Sequence, residues 1–294
     1  MTTAFVLSGG ANLGAAQAGT LAALAESGIR PDLIVGTSVG AVNGAWIAGE
    51  GDIEELLDIW RTLRRGQLFP AEPVGGLLGF IGRSDHLVSH RGLRRLLRTH
   101  LRFSDLEGAT TPLHVAATDL LTGEEVLLSR GNALEAVLAS SAIPGVLPPV
   151  VIDGRALIDG GVVNNTPISH AVELGADEIW VVATGYACAL EAPPRGALGV
   201  ALHAATLAIH QRLALDVRRY AGSVDLRVVP PLCPISVPPT DFGQADELIR
   251  RARDHTRVWI ERSGPGRSVT AITEHDPADV YRHNHVVHRV PRPS

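Results

Sequence analysis

The chain has 294 residues, 45% of them hydrophobic, which is enough to bury a full core as one large domain with at most a smaller C-terminal addition. A net charge of −5 and a scatter of 26 basic residues, every one an arginine, exclude the footprint of a nucleic-acid binder. Cys188 and Cys233 are too few for a disulfide framework and point to a reducing, cytoplasmic setting.

Residues 4–14 read as a short apolar strand, a glycine loop and the start of an Ala-rich helix over 14–26. The stretch 2–25 carries no charge, yet glycines, Asn12 and Gln17 interrupt it and no basic segment precedes it, so neither a membrane span nor a signal peptide is expected. The loop Ser8-Gly9-Gly10-Ala11-Asn12-Leu13-Gly14 presents backbone N–H groups to an anion. A Walker A loop is excluded because there is no lysine, and a dinucleotide loop would want an acidic residue after a second strand. An oxyanion hole is the better use of it.

That second strand, Leu33-Ile34-Val35, breaks at Gly36-Thr37-Ser38-Val39-Gly40 and passes into another Ala-rich helix. A sharp strand-to-helix turn of this kind holds a serine hydroxyl out of the sheet, and only residues as small as Gly36 and Gly40 let backbones pass so closely on either side. Ser38 is therefore a candidate nucleophile. Its base is open between a histidine and a carboxylate, the lack of lysine having removed a Ser-Lys pair.

Helical spacing predicts a helix over 52–65. An irregular Pro/Gly-rich stretch, 66–89, follows, with the apolar segment 74–81 (Leu77, Phe80) as a packed loop or a lid. His86 and His90 beside it lack a third ligand, and no metal site is expected. Further elements are a helix over 91–101, strands at 113–117 and 124–128, a helix at 132–140, and a Pro-rich approach to Ala156-Leu157-Ile158-Asp159-Gly160-Gly161. That last run puts Asp159 at the end of an apolar strand, with Gly160 and Gly161 allowing close backbone approach. A helix at 167–175 and a strand at 178–184 come next. After them stand a Pro/Gly-rich connection at 186–198, a helix at 199–221, a strand at 224–229, a Pro-rich run at 230–239 and a helix at 243–262. His203 and His210 fall on the 199–221 helix as ordinary helix residues. From 274 the tail is rich in His, Arg and Pro and reads as loosely packed or disordered.

Three blocks resemble the patatin-like phospholipases, in particular bacterial members: the 8–15 loop, Gly36-Thr37-Ser38-Val39-Gly40 and Asp159-Gly160-Gly161. The segments 117–124 and 139–150 are similar too, in the same order. The resemblance covers roughly 4–185 and implies a Ser38–Asp159 dyad, with Ser38 as nucleophile and Asp159 as general base, and an oxyanion hole built from Gly9, Gly10, Ala11 and Gly14. It also implies an acyl-enzyme route to hydrolysis of phospholipid or other acyl-glycerolipid esters without a cofactor or metal. The family's usual loop is Gly-Gly-Gly-x-Arg/Lys-Gly, whereas here Ala11 stands at the third glycine and Leu13 at the basic residue. A catalytically weak lipid-binding or regulatory module of the same fold, or an acyltransferase, is the alternative.

The βα alternation predicts a three-layer α/β/α fold, a central, mostly parallel sheet with helices on both faces and the site at the C-terminal ends of its strands. Residues 4–185 form the catalytic core, 186–273 add helices and a strand packed on the same domain, and 274–294 are the tail. A lipid or acyl-ester substrate and a transient membrane-surface contact are the expected partners. No cationic head-group cluster is evident along the chain, and the oligomeric state is open.

Overall fold

The computed structural model describes residues 1–70, 85–184, 196–232 and 241–263. Leu77 and Phe80, the two cysteines, most of the 186–198 and 230–239 connections and the 274–294 tail lie outside them.

In chain order the elements are β1 (Thr3–Leu7), α1 (Gly14–Glu26), β2 (Leu33–Thr37), α2 (Val39–Ala48), α3 (Ile53–Thr62), α4 (Arg65–Leu68) and α5 (Arg91–His100). Then come β3 (Leu113–Asp119), β4 (Glu125–Leu128), α6 (Ala133–Ser140), β5 (Val150–Ile152), β6 (Arg155–Asp159), α7 (Ile168–Glu173), β7 (Glu178–Val182), α8 (Ala197–Tyr220), β8 (Asp225–Val229) and α9 (Ala245–Ser263). Eight strands make one sheet in the order β5-β6-β3-β2-β1-β7-β8, with β4 also on β3. The five strands β3, β2, β1, β7 and β8 run parallel, and β4, β6 and β5 are antiparallel additions at one side.

Alternation along β1 explains the layers. Phe5 and Leu7 point into a core shared with α1, α2, α3, α6 and α9, whereas Ala4 and Val6 point to Ile168 and Ala171 of α7 and Leu213 and Val217 of α8. Helix α1 is buried on nearly every side, which is why it is built of Ala and Gly: a β-carbon at Gly19 would come 2.3 Å from the Ile249 carbonyl oxygen of α9. Among the described residues, no helix is long and apolar enough to cross a membrane.

Two expectations change. The 52–65 helix stops at Thr62, because Leu63 turns extended (φ −63°, ψ 133°); Leu63 and Leu68 of the separate turn α4 are both buried. The Pro-rich approach to Asp159 contains a strand, β5, which forms a tight hairpin with β6 through Asp153 (φ 49°) and Gly154 (φ 77°). An Asp-Gly pair suits such a turn because both central residues need positive φ.

Candidate active site

Ser38 caps α2 in a conformation that residues with a β-carbon avoid, φ 54° and ψ −123°. Its surroundings hold it there. The Ser38 N–H donates to Ser140 Oγ at 2.8 Å, and the Ala41 and Val42 N–H groups donate to its carbonyl. The flanking glycines are sterically required: a β-carbon at Gly36 would meet the Gly40 carbonyl oxygen at 2.7 Å, and one at Gly40 would meet that of Leu7 at 2.1 Å.

Strand register brings the aspartate to this serine. In β3, Ala116 is opposite Thr37 of β2 and Ala117 is opposite Asp159 of β6, so Ser38 and Asp159 come off the two strands flanking β3 at the same level. Ser38 Oγ donates to Asp159 Oδ2 at 2.6 Å. Oδ1 accepts the Gly161 N–H at 2.8 Å. Burial pushes the Asp159 carboxyl up to about 6, while the Ser38 hydroxyl and Gly161 N–H pull it back by favouring the anion. Gly160 is tight for the same reason as Gly40, since a β-carbon there would lie 2.4 Å from the Ala116 carbonyl oxygen.

The 8–14 loop closes over the pair. A β-carbon on Gly9 would come 3.1 Å from that of Ser38, and one on Gly10 would strike Thr184 Oγ1 at 2.0 Å. Gly9 is pinned: its N–H donates to the Asn165 carbonyl, and its own carbonyl accepts from Thr184 Oγ1 (2.7 Å) and Asn165 Nδ2 (3.3 Å). Gly14 N–H turns back to the carbonyls of Ala11 and Asn12, and its missing side chain makes room for Val39 and Trp60. Gly9 and Gly14 therefore shape the loop instead of supplying free donors. No hydrogen bond to a described residue occupies the N–H groups of Gly10 and Ala11. Ala11 adopts φ 51°, a value at which its β-carbon is tolerated at a cost.

No described histidine hydrogen-bonds to Ser38 or Asp159; His86 contacts Asp85, and His90 contacts the Pro148 carbonyl. Among the described residues, no group of three or more His, Cys, Asp or Glu side chains is placed to hold a metal ion.

A family model described as patatin-like phospholipase matches residues 5–172. The chain belongs to the patatin-like phospholipase family. Relatives of this patatin-like chain include the lysophospholipase nte1 of Aspergillus terreus, 30% identical over 189 residues. The lysophospholipase NTE1 of Pyricularia oryzae is 29% identical over 180 residues. Each match takes in 61% of this chain and 12% of the fungal protein, so the chain spans a small part of the length of these curated relatives. Among solved structures, VipD from Legionella pneumophila is similar at 16% identity and a TM-score of 0.48, over 96% of this chain and 74% of that one.

In this patatin-like chain, Leu13 packs against the apolar core. An apolar cavity opens beside Ser38, lined among others by Val42, Trp46, Leu56, Trp60 and Leu97. One polar group on its wall is unsatisfied: the buried Ser141 hydroxyl has no hydrogen-bond partner among the described residues. Its neighbours touch both Ser38 and Asp159, since Ser140 Oγ holds the Ser38 N–H and the Ala142 carbonyl accepts the Asp159 N–H at 3.0 Å.

Behind the 160–165 loop lies a polar cluster with no signal in the sequence. Glu125 accepts from Asn164 Nδ2 (3.0 Å) and Arg212 Nη2 (3.2 Å) and pairs with His170 Nε2 at 3.1 Å. His170 above all, then Asn164 and Arg212, pull the Glu125 carboxyl down to about 2 against the opposing effect of burial. Glu125 in turn raises the pKa of His170. The cluster anchors Asn164, whose carbonyl accepts the hydroxyl of Thr37, the residue before the nucleophile candidate.

Proposed function

We propose that this chain is a serine acyl hydrolase that cleaves carboxylic esters of lipids through Ser38 and Asp159. The observation that carries the reading is the 2.6 Å hydrogen bond from Ser38 Oγ to a buried carboxylate, beside two backbone donors that no described residue occupies. In this reaction Ser38 Oγ attacks the acyl carbonyl carbon while its proton passes to Asp159. The oxyanion forms against the Gly10 and Ala11 N–H groups and the positive end of α2. Collapse breaks the ester C–O bond, and the departing alkoxide takes the proton from Asp159. Water then attacks the acyl-serine, gives its proton to Asp159 and releases the fatty acid, and the proton returns to Ser38.

A free aspartate is a weak base, with a pKa of about 4. Burial answers that difficulty by raising Asp159 to about 6, close to the pH at which it must work. The cavity lined by Trp46, Leu56, Trp60 and Leu97 suits a single aliphatic chain, each CH₂ of which gains about 0.8 kcal/mol on burial. The Ser141 hydroxyl, bonded to no described residue, is available to an ester oxygen entering the site.

The fungal relatives are called lysophospholipases, which puts monoacyl phospholipids first among the substrates to try. The test is a panel of monoacyl and diacyl phospholipids, monoacylglycerol and p-nitrophenyl esters, scored for released fatty acid with and without EDTA. Release by the wild type that is insensitive to EDTA and absent in Ser38→Ala supports the reading. Lipid binding with no release on any member favours the binding-module alternative.

A further inference from the structure

The arginines that look scattered along the sequence are gathered by the fold. On α5, Arg91, Arg95 and Arg98 recur at i, i+4 and i+7 and share one exposed face, opposite the buried Leu93 and Leu97. Helix α4 lies directly against α5, since a β-carbon at Gly92 would come 2.2 Å from the Gln67 carbonyl oxygen, and it adds the exposed Arg65. Nearby Arg94, Arg61 and Arg102 have carboxylate partners in Glu135, Asp58 and Glu55. Arg65, Arg91, Arg95 and Arg98 have no ion pair or hydrogen bond from their side chains to any described residue.

Like charges four residues apart on a helix repel, and here no described carboxylate pairs with them. The face also has a definite place. A cleft lined by Arg91, Arg95 and Gln67 shares Leu63, Leu68, Leu96 and His100 with the apolar cavity that reaches Ser38. A protein of net charge −5 is repelled as a whole by an anionic membrane, so a local cationic face decides which side approaches.

We propose that the Arg91–Arg95–Arg98 face of α5, with Arg65 of α4, docks the protein on an anionic lipid bilayer and turns the acyl cavity toward it. The choice of a bilayer as partner rests on the lipid-ester reading above. Docking needs no turnover, so the binding test is run in the Ser38→Ala background, and the two readings fail separately.

The experiment is co-sedimentation of the full chain with vesicles of phosphatidylcholine alone or mixed with phosphatidylglycerol. Binding is expected only to the mixed vesicles. It should fade from about 0.1 M to about 1 M salt, as the screening length shrinks from ~10 Å to ~3 Å. The pair Arg95→Gln/Arg98→Gln should weaken partitioning roughly thirtyfold, about fivefold for each arginine near the surface. Arg91→Gln/Arg98→Gln is a second pair on the same face. Arg30→Gln/Arg130→Gln makes the same change in net charge elsewhere and should leave binding unaltered. Thermal midpoints of the face variants should not fall, because each substitution removes repulsion. The proposal is overturned by no binding to mixed vesicles, by equal binding to neutral ones, or by equal losses in the face and control pairs.

Discussion

The Ser140 hydroxyl accepts the Ser38 N–H at 2.8 Å and donates to the Ala116 carbonyl at 2.6 Å. One fully buried side chain thus ties the strained elbow to the central strand that also registers Asp159. In Ser140→Ala a buried donor and a buried acceptor lose their partner, at about 1–3 kcal/mol for leaving such groups unsatisfied. Urea unfolding should show that loss, and kcat should fall more than KM changes, because the elbow relaxes without altering the acyl cavity.

Asp159 works against the stability of the protein it serves. Its carboxyl titrates at about 6 in the fold against 3.8 ordinarily. A raised value means that the contribution to stability is full below about 4 and is lost as pH rises through about 6. Ionisation therefore costs the fold about 3 kcal/mol at most, two pH units at about 1.4 kcal/mol each. Asp159→Asn, which keeps the shape and cannot ionise, should be more stable than wild type at pH 8, lose that advantage near pH 4, and be inactive at both. For the wild type, the acid limb of kcat/KM should fall near pH 6.

The Glu125–His170 pair has its own pH window. Glu125 is lowered to about 2, so its contribution is present above about 4.5 and is lost as pH falls toward 2. His170 is raised, so its contribution is full below about 6.5 and is lost as pH rises through its folded value. The stability deficit of Glu125→Gln should be largest between about pH 4.5 and 6.5 and shrink in alkaline solution. Denaturant midpoints across that range measure it, and a deficit independent of pH would show that the charge on His170 plays no part.

Ala11 and Gly10 should respond in opposite ways. At φ 51°, Ala11 bears a left-handed conformation costing about 1–2 kcal/mol, part of which Ala11→Gly relieves, less about 0.5–1 kcal/mol for the freer unfolded chain. Stability should stay level or rise by up to about 1 kcal/mol with activity kept, because the donor is the backbone. Gly10→Ala drives a methyl into Thr184 Oγ1, and ester hydrolysis should collapse.

What was legible in the sequence is what is local. Gly36, Gly40 and the apolar runs beside them mark a strand, a turn and a helix within ten residues, and the structure has β2, Ser38 and α2 there. The 2.6 Å approach of Ser38 to Asp159 is legible only in part, since each stands at a strand end but β3, the strand between them, sets the level. The Glu125 cluster was not legible, because it joins side chains from a strand, two helices and a loop far apart in the chain. The three-residue β5 is too short for periodicity, and only Asp153-Gly154 signals it. Helix periodicity carries through Leu63, where the backbone turns extended. On α5 the arginine spacing is visible in the sequence, but that these side chains stay unpaired depends on tertiary neighbours.

Whether Ser38 and Asp159 act together is tested by fluorophosphonate labelling with the adduct located by mass spectrometry, run on wild type, Ser38→Ala, Asp159→Asn, His90→Gln and His100→Gln. His90 and His100 are included because His100 lines the cavity and His90 stands at the N-terminus of α5, whose Leu93 lines it too. A single adduct is expected on Ser38, absent in Ser38→Ala, formed far more slowly in Asp159→Asn, and retained in both histidine variants. Labelling that survives Ser38→Ala, or that disappears in a histidine variant while Asp159→Asn still reacts at the wild-type rate, would contradict it.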